Sequence, residues 1–71
     1  MKKSEIILHI YHHLLLDKNV SKEETMKEFD ISSLKFARYI SDIRSFLVNE
    51  KIGYQLAYER KIDRYCLIRI R

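Results

Sequence analysis

Lys35 and Arg38, directly preceded by Ser32, Ser33 and Leu34, are the side chains of this sequence best spaced for holding an anion. Two cations three residues apart share one side of a helix. A serine just ahead of them can cap that helix, whose first N–H groups point at any bound phosphate. A second basic cluster, Arg60, Lys61 and Arg64, falls in the segment "RKIDR". Arginine adds a planar fork of donors that suits phosphate and carboxylate oxygens. His9 and His13 stand four residues apart, a metal-ligand spacing, but no further ligand from a carboxylate or Cys completes a set, so they read as an exposed pair. Cys66 sits in an apolar run and reads as a small core or edge residue. There is no Gly-rich phosphate loop and no nucleophile with a base at useful spacing. Enzyme activity, a cofactor and a metal are therefore not expected. The chemistry on offer is anion recognition.

The charge distribution agrees. Residues 1–50 carry eight Lys/Arg and eight Asp/Glu, so the net charge of +4 falls wholly within residues 51–71. An excess confined to one segment points to an anionic partner there; a solvated basic edge that deters aggregation is the plain alternative. The single Cys excludes an internal disulfide framework. No apolar run has the length of a membrane span, and "MKKSEIILHIYHHLLLDK" lacks the cleavage site of a signal peptide. A cytoplasmic setting without membrane contact is expected. Seventy-one residues with no proline, one glycine and no repeat suit one small domain over 1–71.

Three helices must position these residues. The first is expected from a Ser4 cap to about Leu16, with Ile6, Ile7, Ile10, Tyr11 and Leu14 on its inner face. Leu8 and Leu15 are expected to widen that face, with His9, His12 and His13 opposite. Val20 suggests a brief extended contact. Ser21 and Glu24 form a capping box for a short helix, Lys22 to Phe29, whose buried pair is expected to be Met26 and Phe29. Asp30 suits a left-handed turn. A third helix follows from Ser32 or Ser33 to about Val48, with the core stripe Phe36, Ile40, Ile43 and Leu47. Opposite that stripe lie Leu34, Arg38, Ser41 and Ser45, with Lys35 and Asp42 to one side. The period then changes to alternation. "YQLAYE" and "YCLIRI" read as two strands of a hairpin with "RKIDR" at its tip.

Two helices joined by a short turn, then a basic hairpin, resemble the winged helix-turn-helix domains of bacterial regulators of the DeoR and biotin-operon-repressor type. Ser21 matches the family's cap, Phe29 the apolar residue before the turn, and Ile31-Ser32 its Val-Ser. Phe36, Arg38 and Ile40 fall on the Ile, Arg and Ile of the recognition helix, and Tyr65 and Leu67 on the Tyr-x-Leu returning from the wing. The chain departs from the pattern at Asp30 (a glycine there), Thr25-Met26 (Leu-Ala), Leu34-Lys35 (Arg-Thr) and Tyr39 (Asp).

The resemblance implies an α+β fold, a three-helix bundle with helix-turn-helix followed by a β-hairpin wing. It also implies binding to double-stranded DNA in transcription regulation, with helix 33–48 in the major groove and wing 54–70 on the backbone or minor groove. The expected contacts are Ser32, Ser33, Leu34, Lys35, Arg38, Ser41, Arg60, Lys61 and Arg64. Arg38 could instead pair with Asp42. A different class of function, a protein-interaction module whose basic wing meets an acidic partner, fits the same fold. A homodimer through helix 1 or the last strand is expected, because one of the strand's two apolar sets, Tyr65 with Leu67 or Cys66 with Ile68 and Ile70, should lie uncovered and the apolar arc of helix 1 adds to that surplus; a further domain over the same surface is the alternative.

Overall fold

A computed structural model describes residues 2–70. Arg71, one of the cations of the basic C-terminal segment, lies outside the described residues. The chain is an α+β domain with three helices, α1 (Lys3–Asp17), α2 (Lys22–Phe29) and α3 (Ser33–Asn49). Three strands, β1 (Asn19–Val20), β2 (Tyr54–Glu59) and β3 (Arg64–Arg69), form one antiparallel sheet in the order β1-β3-β2. Among the described residues no helix is long and apolar enough to cross a membrane.

Helix α1 starts earlier than a Ser4 cap would place it. Lys2 is the N-cap, without a side-chain hydrogen bond, and the Ile6 N–H already donates to the Lys2 carbonyl. This start leaves Ser4 and Glu5 inside the first turn, where the Glu5 charge suits the positive end of the helix. The helix ends at Lys18, which is left-handed (φ 66°) and donates to the Leu14 carbonyl. Ile6, Ile10 and Leu14 are buried, but Leu8 and Leu15 are 64% and 42% exposed and do not widen that face. At roughly 100° per residue, Leu8 and Leu15 sit about 140–160° around the helix from the buried Ile10, on the side turned away from the core.

Ser21 caps α2, its hydroxyl accepting from the Glu24 N–H at 3.3 Å. Glu24 does not return the bond. Its carboxylate accepts from Arg64 instead. The helix buries Thr25 (7% exposed), whereas Met26 and Phe29 pack half-buried against the margin of the core. Phe29 stacks on His9 of α1, ring centroids 5.4 Å apart. An aromatic contact at the rim, rather than insertion into the core, therefore joins α1 to α2 here.

Asp30 takes the left-handed conformation (φ 52°, ψ 52°) and its N–H closes on the Met26 carbonyl. Ile31 donates to the same carbonyl and is buried, which pins the turn between α2 and α3 to the core. Helix α3 then supplies Phe36, Tyr39, Ile40, Ile43 and Leu47 to the core, and Leu56 and Leu67 close it from the sheet. Leu56 and Leu67 are cross-strand partners, as are Tyr58 and Tyr65. Alternation puts Cys66 and Ile68 on the other face. Ile68 stays 45% exposed, and Ile70 just beyond the strand 49%. The expected two-stranded sheet gains β1 as a third member, through Asn19 opposite Cys66 and Val20 opposite Tyr65.

Candidate nucleic-acid interface

Ser32 adopts an extended conformation and its hydroxyl accepts from the Lys35 N–H at 3.2 Å. The Phe36 N–H closes on the Ser32 carbonyl, the first bond of the α3 ladder. The N–H groups of Ser33 and Leu34 are left pointing out of the helix end. No acidic residue lies in this first turn to compete for a bound anion. Ser33, Leu34, Lys35, Arg38 and Ser41 are all exposed.

The core side of α3 sets where these side chains go. With Phe36, Ile40, Ile43 and Leu47 facing inward, Leu34, Arg38, Ser41 and Ser45 lie about 130–170° away on the outer side. That stripe holds no carboxylate. Asp42 is off to one side, and among the described residues Arg38 forms neither an ion pair nor a hydrogen bond with it or with any other group. Arg38 is an exposed, uncommitted cation.

The hairpin tip, residues 60–63, carries Arg60 and Lys61, both exposed. Two local bonds brace it. The Lys61 N–H donates to Glu59 Oε1 at 3.2 Å, and the Tyr58 phenol donates to Asp63 Oδ1. Asp63 is left-handed (φ 53°), which turns the chain into β3. The hydrogen bond to the Asp63 carboxylate holds the Tyr58 phenol above its usual pKa, since ionisation would set two negative charges side by side. Tyr58 faces Tyr65 across the hairpin at 5.1 Å between centroids, and Tyr65 meets Phe36 edge-on at 5.4 Å. Three rings thus run from the core beneath the start of α3 to the base of the hairpin tip.

Arg64 is placed apart from Arg60 and Lys61. It is the first residue of β3 and half-buried, with Nη1 donating to Asn19 Oδ1 at 3.0 Å and Nη2 to Glu24 Oε2 at 3.1 Å. Its guanidinium reaches β1 and the start of α2 and ties three elements together. Arg44 makes a comparable tie. Its Nε and Nη2 converge on the Leu56 carbonyl at 3.2 and 3.0 Å, binding α3 to the outer edge of the sheet. Sequence reasoning gives Arg44 no role, and its α3 position beside the β2 edge is the only signal that could have done so.

No protein-family model, curated protein or solved structure matches this chain.

The remaining candidates lie elsewhere. His13 Nδ1 is 3.7 Å from Asp17 Oδ2, a carboxylate neighbour that sequence reasoning missed. His9 is taken up by Phe29, and the described residues bring no three metal-ligating side chains together. Cys66 is half-buried in the central strand. A concavity of about 650 Å3 opens at the far end of α3 between Leu47, Val48, Tyr54 and Ile70. The exposed start of α3 and the hairpin tip contribute nothing to its walls.

Proposed function

We propose that the chain is a winged helix-turn-helix module that binds double-stranded DNA and acts in transcription as a regulator or as the DNA-reading domain of one. In this reading α3 enters the major groove and the hairpin lies along the backbone or minor groove. The observation that carries it is the outer stripe of α3. An exposed cation without an ion-pair or hydrogen-bond partner among the described residues stands there, with Asp42 one turn on and to its side, beside a capped helix start whose N–H groups are open. A groove wide enough for a helix accepts such a face, and phosphates accept its flanking charges. The braced tip with Arg60 and Lys61 supplies further phosphate contacts, while Arg64 serves as a brace within the fold.

Arg38→Ala tests the reading directly. If Arg38 reads a base edge, affinity for the preferred duplex falls by about 1–3 kcal/mol. The fold survives because the side chain is exposed and forms no hydrogen bond or ion pair among the described residues. Unchanged binding together with an unchanged circular dichroism spectrum removes Arg38 from the interface. A folded protein that ignores every duplex at low salt would instead direct attention to an acidic protein partner.

The same reading includes a homodimer. Ile7, Leu8, Tyr11, Ile43 and Phe46, with Asp42 at its edge, surround a mostly apolar hollow of about 190 Å3 between α1 and α3. Leu8 and Phe46 leave it 64% and 46% exposed. A second copy docked there buries this surface and presents two recognition helices to successive half-sites. Sedimentation over a concentration series is expected to show a monomer–dimer equilibrium. A strictly monomeric protein up to high micromolar concentration would eliminate the dimer.

A further inference from the structure

Leu34 is the second residue of α3 and is 64% exposed. A lone exposed leucine is ordinary on a protein surface. Its surroundings here are not. Leu34 stands at the head of the outer stripe, with Arg38 one turn on and Lys35 beside it. The other large exposed apolar side chains of α3, Phe46 and Val48, both lie in its C-terminal half. The open N–H groups of the first turn and the two cations all favour the same anionic partner, so whatever they grip is drawn against Leu34.

For duplex DNA that arrangement has a specific consequence. Phosphates held by Lys35 and the helix start bring the first turn of α3 down to the base edges. The apolar group that the major groove presents there is the C5-methyl of thymine. We infer that Leu34 is a specificity-determining residue that reads a thymine methyl group. The inference rests on the DNA-binding reading and deepens it, since it names the base to be recognised. It follows from the leucine and its placement: an apolar side chain cannot hydrogen-bond a guanine or adenine edge.

The test begins with a random-sequence duplex library, from which the wild-type protein selects its preferred site. Each thymine of that site is then replaced by deoxyuridine, one at a time, which deletes the methyl group and leaves every hydrogen-bonding atom in place. The wild-type protein is expected to lose about fourfold in affinity at one or two of these positions, the size of one buried methyl group. Leu34→Ala is expected to bind the parent site about fourfold more weakly and to become indifferent to the same replacements, with its circular dichroism unchanged. A selected site without thymine, or one insensitive to every replacement, overturns the inference and leaves DNA binding standing. So does equal sensitivity in wild type and Leu34→Ala, because another residue then reads the methyl. Failure to select any duplex overturns both the inference and the function on which it rests.

Discussion

Neutralising Lys35, Arg38, Arg60 and Lys61 together is expected to remove measurable duplex binding near physiological salt while leaving the domain folded. Each neutralised phosphate releases condensed counterions, so the slope of log affinity against log salt flattens by about 0.9 for every phosphate that the protein no longer neutralises. Four such phosphates flatten it by about 3 to 4, and affinity falls by several orders of magnitude at moderate salt. Fold stability is expected to change by only about 0.5 kcal/mol per site, because all four side chains are exposed and none has an ion-pair partner among the described residues. Fluorescence anisotropy of a labelled duplex across a salt series measures the slope, and circular dichroism checks the fold. Splitting the set gives further resolution. Neutralising Arg60 and Lys61 alone should weaken preferred and random duplexes alike, since the tip is proposed to touch backbone. Neutralising Lys35 and Arg38 should weaken the preferred duplex more than the random one. A slope unchanged by all four substitutions means that these cations meet no nucleic acid, and the basic surface then needs another explanation.

The parts of the fold that were legible in the sequence are those with local causes. Ser21 and Ser32 cap helices because a short hydroxyl reaches the N–H three residues on, and both bonds are present. Asp30 turns left-handed between them, as an Asp at a helix end tolerates. The stripe Phe36, Ile40, Ile43 and Leu47 is buried because helical geometry puts those positions on one line. The exposed placement of Lys35, Arg38, Ser41, Arg60 and Lys61 follows from the same periodicities.

What the sequence concealed depends on distant partners. Arg64 looked like a tip cation by its neighbours in sequence, yet its hydrogen-bond partners lie 40 and 45 residues away on α2 and β1. Glu24 is drawn out of its capping box by that same arginine. The brief extended contact expected at Val20 is present as the two-residue β1, but that its partner is β3, about 45 residues on, could not be seen from a window around Asn19 and Val20. Leu8 and Leu15 carry the hydropathy of core residues. Whether they are covered depends on which side of α1 its neighbours pack, and both remain exposed. The ring series Phe36, Tyr65 and Tyr58 likewise needs the register of the hairpin before it can be seen.

Phe36 joins the core to the candidate site, and Phe36→Ala is the single substitution expected to cost the most stability. The side chain is 1% exposed and is among the largest fully buried in the domain. Truncating a buried Phe to Ala typically costs about 3–5 kcal/mol, from lost transfer energy and the cavity that remains. A domain of this length has roughly 4–10 kcal/mol of stability in total, at about 0.05–0.15 kcal/mol per residue. The substitution therefore removes a third of that or more, and leaves a substantial unfolded population if the domain lies at the low end. The damage should also be directional. Tyr65 loses the ring it meets edge-on, an interaction worth about 0.5–1.5 kcal/mol beyond burial, and with it the support that carries Tyr58 and the hairpin tip. Hydrogen exchange should consequently speed up in β2 and β3 near Tyr58 and Tyr65 more than in the N-terminal half of α1. Urea denaturation of wild type and Phe36→Ala gives the loss in stability, and exchange at low denaturant gives its distribution. Phe36→Leu, which keeps most of the volume but not the ring, separates the two effects: it should recover most of the stability without restoring slow exchange at the hairpin. If Phe36→Ala unfolds at the wild-type urea concentration, the side chain is not a core anchor. If Phe36→Leu restores the hairpin as fully as it restores stability, the ring contact with Tyr65 does not hold the tip in place.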